Sequence, residues 1–195
     1  MSQFKNLLAK CMLAFLLLGG AGHAAATPTY FVSIDTSTLG IGPAYLGLYF
    51  MGLANAAPAS ATVSDLTGAL VGAASVTGPV SGALPGPLVF GNANGGSDVV
   101  QAILLGEVVS FNVRFDLGNG SAGTTFGWGL FNESGYLGAL GDLGTIALQP
   151  ELTGNGSLVL QNASAISNVI MVPEPSTFWL LLLAGSVLLL RARRR

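Results

Sequence analysis

The chain carries one cysteine, Cys11, and one histidine, His23. Both lie within the first 26 residues, as do its only lysines, Lys5 and Lys10. Residues 27–170 therefore hold no thiol and no imidazole. Nucleophilic catalysis of the Ser–His or Cys–His kind is excluded there. So are zinc and other transition-metal sites, whose ligand sets rest on thiolate and imidazole. No disulfide can form in that region, so its stability rests on an apolar core, and the region is long enough to bury one as a single domain.

Positive charge is equally scarce. Arg114 is the one basic residue between 27 and 170, against Asp35, Asp65, Asp98, Glu107, Asp116, Glu133, Asp142 and Glu151. One arginine against eight carboxylates leaves a net charge of −7 there, which the whole-chain value of −2 conceals. A surface of this sign without lysine cannot hold a phosphate backbone, so nucleic acid is excluded as a partner. Divalent cations are expected to bridge such a surface to another copy or to an anionic polysaccharide.

The two ends are built differently. Lys5 and Lys10 form a basic stretch, residues 12–18 are apolar, and Ala24-Ala25-Ala26 supplies small residues. This is the order of a secretory signal peptide over residues 1–26, cut by signal peptidase after Ala26, with a cut after Ala24 as the alternative. Cys11 follows Lys10 and precedes the apolar run, which is not the lipoprotein arrangement. At the other end, residues 171–177 include Val172, Pro173, Glu174, Pro175 and Ser176. The two prolines hold the backbone extended and exclude a helix, which reads as an accessible linker. Residues 178–190 carry no charge, and Arg191, Arg193, Arg194 and Arg195 follow as a cytoplasmic stop-transfer tail. A helix over 178–190 spans only about 20 Å, against the roughly 30 Å of a bilayer core. A poor transmembrane anchor suits a chain that is held briefly and then cut. An ordinary anchor that is never cut is the alternative.

The order of Pro-Glu-Pro, apolar helix and arginine tail resembles the PEP-CTERM sorting signal of Gram-negative bacteria. The resemblance implies processing by a membrane exosortase, transient membrane attachment, export across the inner membrane to the cell surface or medium, and association with exopolysaccharide and biofilm matrix. The body is also similar to a recurring type of PEP-CTERM protein. That similarity rests on Tyr30-Phe31-Val32-Ser33-Ile34-Asp35-Thr36-Ser37, Tyr45-Leu46, Phe50, Ala56-Ala57-Pro58-Ala59, Thr77-Gly78-Pro79-Val80-Ser81-Gly82-Ala83-Leu84-Pro85 and the stretch 111–115. It implies a small extracytoplasmic β domain of no established activity.

No long stretch of residues 27–170 has helical periodicity. Strands are predicted at 29–35, 44–51, 99–105, 107–116, 124–131, 145–148, 157–161 and 166–172. In 44–51, Tyr45, Gly47 and Tyr49 share one face and Leu46, Leu48 and Phe50 the other, which suits a strand in the middle of a packed sandwich. In 107–116, Val109, Phe111, Val113 and Phe115 alternate with Ser110, Asn112, Arg114 and Asp116, the pattern of a half-buried strand. Residues 124–131 repeat it with Phe126, Trp128 and Leu130. Asn119-Gly120 and Asn155-Gly156 read as hairpin turns. Residues 91–98 read as a longer loop, and 54–61 as a loop or a short helical turn. Residues 79–87 should be extended at a sheet edge or between sheets. About eight strands at this spacing predict an all-β, antiparallel, two-sheet sandwich of jelly-roll-like form.

The chemistry on offer is limited, and no cofactor is expected. A glycosidase needs two carboxylates, and Glu107, Glu133 and Glu151 are the longest-armed, but no spacing selects a pair. Calcium takes oxygen ligands alone. Asn92, Asn94 and Asp98 in one loop, and Asp116 and Asn119 in another, supply oxygens without the spacing of an EF-hand; turn geometry explains them better. Asn119, Asn132, Asn155 and Asn162 open Asn-X-Ser sequences that also read as turns. Tyr30, Tyr45, Tyr49, Phe126, Trp128 and Tyr136 are candidates for a sugar-stacking platform, with Trp128 foremost, although alternation places most of them in the core. The expectation is a non-enzymatic surface or matrix protein. The alternative is a carbohydrate-binding or adhesive module, assisted by calcium.

Overall fold

The computed structural model describes residues 28–118, 123–149, 157–162 and 164–172. These form thirteen strands: β1 (Thr29–Asp35), β2 (Pro43–Gly52), β3 (Ala59–Thr67), β4 (Leu70–Thr77), β5 (Val80–Gly82), β6 (Leu88–Gly91), β7 (Gly96–Leu104), β8 (Val108–Leu117), β9 (Thr124–Asn132), β10 (Gly135–Leu137), β11 (Gly144–Gln149), β12 (Ser157–Asn162) and β13 (Ser167–Val172). There is no α-helix among the described residues, and no helix there is long and apolar enough to cross a membrane. The signal peptide, Ala24, Ala26, residues 173–195 with the remaining sorting-motif residues and all four tail arginines, and both Asn-Gly turns lie outside the described residues.

The strands make two antiparallel sheets, ordered β13-β1-β8-β3-β6-β5 and β12-β11-β9-β2-β7-β4, with β10 added beside β9. Four pairings are nested in sequence: β1 with β13, β2 with β9, β3 with β8, and β4 with β7. This is the pattern of one long hairpin folded over on itself.

Alternation decides which face each strand buries. On β8, Val109, Phe111, Val113 and Phe115 are buried while Arg114 and Asp116 are exposed. On β2, which lies between β9 and β7, Leu46, Leu48 and Phe50 are fully buried. The two sheets meet through aromatic rings. Phe111 touches Phe126 and Trp128 with centroids 6.3 Å away in both cases, Phe115 lies 5.8 Å from Phe126, and Phe50 lies 6.4 Å from Phe115. The edge-to-face pairs among them add to the area they bury. Buried polar groups find partners: the Trp128 indole N–H donates to Ser167 Oγ at 2.9 Å, and Gln101 Nε2 donates to the Val71 carbonyl at 3.0 Å, fastening β4 to β7.

All eight predicted strands are present, but the count of eight was too low. Residues 54–61, expected as a loop or a short helical turn, are turn and loop only as far as Pro58, because β3 begins at Ala59. Residues 91–98 are less loop than expected: Ala93–Gly95 is a single 3-10 turn and β7 starts at Gly96. The extended segment expected at 79–87 contributes β5, which is the edge of its sheet. β13 runs from Ser167 to Val172, as the strand predicted at 166–172 has it, so Met171 and Val172 belong to the sheet and the boundary of the linker segment 171–177 was drawn two residues early.

A candidate site on the outer face

The outer surface of the seven-stranded sheet carries a cleft where β2, β9, β10 and the segment before β11 meet. Its floor comes from glycine. Gly47 on β2 and Gly129 on β9 are cross-strand partners, so no side chain rises between their neighbours. Aromatic rings lie over the adjacent glycine positions. A Cβ at Gly47 would sit 3.2 Å from the Phe131 ring, and one at Gly127 would collide with the Tyr49 ring. Phe131 stacks on Tyr45 with centroids 5.5 Å apart and planes 25° from parallel. Tyr136, brought in by β10 as the partner of Phe131, is 61% exposed and forms an outer wall. The cleft is shallow and open to solvent, with a volume of about 330 Å³, and is lined by Tyr49, Phe131, Asn132, Tyr136, Asp142 and the glycines.

Asp142 is placed by its neighbour. Leu143 is fully buried, and its N–H donates to the Trp128 carbonyl at 2.8 Å, which seats Asp142 at the cleft. The Tyr49 hydroxyl donates to Asp142 Oδ2. Oδ1 stands 3.8 Å from where a Gly129 Cβ would be. Burial pushes the Tyr49 phenol well above its usual pKa, and the Asp142 hydrogen bond and charge and the nearby Tyr136 phenol push it the same way. Each of these disfavours the phenolate.

The candidate aromatics divide cleanly. Tyr45, Tyr49 and Tyr136 lie at or beside the cleft, whereas Tyr30, Phe126 and Trp128 belong to the core. Trp128, the foremost sequence candidate, is fully buried because it sits on the inward parity of β9. Two cleft residues were missed. Phe131 could have been found, since it has the outward parity of Gly127 and Gly129. Asp142 could not, because its contact with Tyr49 spans 93 positions and depends on the segment between β10 and β11.

Of the suggested calcium ligands, Asn92 and Asn94 lie at the turn before β7, and Asp98 lies on β7 as the cross-strand partner of Tyr49. Asn92 Nδ2 donates to the Ala57 carbonyl at 2.6 Å and to Thr124 Oγ1 at 2.7 Å, while its Oδ1 accepts from the Ala59 N–H at 3.1 Å. Its amide is therefore committed to joining β3, β9 and the β6–β7 connection. Asn94 has φ +56°, a turn conformation that asparagine tolerates. Asp116 is exposed on β8, and Asn119 lies outside the described residues. Asn132 Oδ1 accepts the Ser134 N–H at 2.8 Å, another turn bond. Glu107 and Glu133 are exposed; Glu151, Asn155 and the Asn162 side chain lie outside the description.

The chain matches no family model, no curated protein and no solved structure. Its functional reading rests on its own residues.

Proposed function

We propose that this is a non-enzymatic exported protein, sorted by a membrane exosortase and deployed in the cell envelope or exopolysaccharide matrix of a Gram-negative bacterium. The observation that carries the reading is the tripartite tail: Pro173-Glu174-Pro175, the uncharged run 178–190, and four arginines among the last five residues. The placement of Val172 agrees with it. β13 ends there as an edge strand, so the first proline of the motif follows the last ladder residue directly. A proline has no N–H with which to extend a strand ladder. On this reading signal peptidase and an exosortase are processing partners, the membrane is a transient one, and a jelly-roll-like sandwich is the exported cargo, the label suggested by the nested strand pairing. Replacing Glu174 tests the sorting step: the precursor should still insert, and processing should stop. Normal processing of that variant would count against the exosortase reading.

A second reading is favoured by the cleft. Rings at Tyr49, Phe131 and Tyr136 beside one carboxylate suit a sugar, which offers a C–H face to the rings and polar groups to the acid. The protein would then be a carbohydrate-binding or adhesive module carried to the surface by the same signal. A glycan array with and without calcium separates the two, since specific retention of one sugar supports the module and uniform silence supports a bulk matrix role.

A further inference from the structure

The outer-face cleft has a sign as well as a shape. Its walls are the rings of Tyr49, Phe131 and Tyr136, whose faces carry the negative side of the aromatic quadrupole. Its one charged lining group is the Asp142 carboxylate. Oδ2 holds the Tyr49 hydroxyl, while Oδ1 stands over Gly129, where the absent side chain leaves it reachable and no described donor bonds it. Asp98 is the cross-strand partner of Tyr49 on its other flank, which adds a second acid to this face. Among the described residues no positive charge offsets them. Arg114, the one basic residue among those described, is exposed on β8 in the other sheet.

A cleft of this kind repels an acidic sugar and gives a neutral one only stacking and a hydrogen bond or two. An ammonium group gains more. It donates to Oδ1 in a charge-assisted hydrogen bond and meets aromatic faces at short range. The volume of about 330 Å³ is at the small end of ligand sites, which suits one sugar unit of a chain. We infer that the cleft binds an amino sugar through its protonated ammonium, seated at Asp142, with the pyranose ring against Tyr136 and Phe131. This rests on the carbohydrate-binding reading and gives it a ligand class: a polysaccharide with free amines, in preference to an acidic or fully N-acetylated one.

Calorimetry on the full chain at physiological salt tests it, with glucosamine and N-acetylglucosamine oligomers of equal length as titrants. The glucosamine oligomer should bind more tightly by about tenfold, the scale of one charge-assisted contact. Asp142→Asn should bring the two close to parity. Asp116→Asn removes the same charge from the other sheet and should leave the preference intact; equal losses in both variants would show bulk attraction to an acidic protein and overturn the site. Tyr136→Ala, at an exposed position that does not endanger folding, should weaken both oligomers, and unchanged binding would place the site elsewhere. Tetramethylammonium binding as tightly as the glucosamine oligomer would overturn the sugar half of the inference. If the N-acetylated oligomer binds as well as the free amine, the ammonium inference falls and the carbohydrate reading stands. If neither oligomer binds, both fall.

Discussion

Thr29 and Val172 are cross-strand partners at one end of the β1–β13 ladder. The first and last strand residues among those described thus lie side by side. A chain stopped after Val172 should keep the melting temperature of a longer form. One stopped after Asn162 should melt much lower, because β1 becomes an edge and the Trp128 indole loses Ser167. Thermal circular dichroism of the two truncations checks this, and equal melting would show that β13 contributes nothing.

Phe111→Ala removes a ring that contacts both Phe126 and Trp128 across the sandwich. It should destabilise by about 3–5 kcal/mol, the usual range for a buried phenylalanine. Asn112→Ala, one residue on, removes an exposed hydrogen bond to Asp65 and should cost about 1 kcal/mol or less. Urea denaturation of both variants measures the contrast. Similar costs would mean that β8 does not bury one face.

Legibility in the sequence followed burial. β8 and β9 stood out because each buries a regular row of large side chains, and β2 because it is packed among neighbours. β4 did not, since as an edge strand it has no fully buried residue and so no alternation to read. β3 was hidden by a register shift between Ser64 and Thr67, where Asp65 takes φ +53° and breaks the period of two. The cleft was half legible. Its tyrosines were named, but the acid that completes it reaches them only through tertiary structure, and the residue judged most promising, Trp128, was core.

The Tyr49–Asp142 contact gives a pH dependence with a definite sign. The folded phenol titrates above its unfolded value of about 10. Its contribution to stability is therefore fully present below pH 10. It is lost as pH rises from there through the folded pKa, because the unfolded state releases its proton first. Asp142→Asn removes the charge and weakens the bond that disfavours phenolate, so it should lower the Tyr49 pKa and flatten this alkaline loss. Burial, the larger cause, should keep the pKa above normal. Alkaline titration by tyrosinate absorbance, with melts at pH 9 to 12, follows both effects; an unmoved titration in the variant would contradict the contact.

The acidic surface should respond to divalent cations. Among the described residues no three His, Cys, Asp or Glu side chains gather into a metal site, and the effect expected of calcium is bridging between molecules. Millimolar calcium should raise light scattering above that in sodium at matched ionic strength, more so with an acidic polysaccharide present. Identical traces would leave the acids with the single task of keeping the domain soluble.

The central claim is that this sandwich is delivered to the cell exterior and freed from its own C-terminal tail. Intact-mass analysis of the protein recovered from the surface or medium tests it most directly. The mature chain should begin at Thr27 and end between Pro173 and Ser176, with the apolar run and arginines gone. A surface form that still carries Arg195 would contradict it and leave an ordinary membrane anchor in its place.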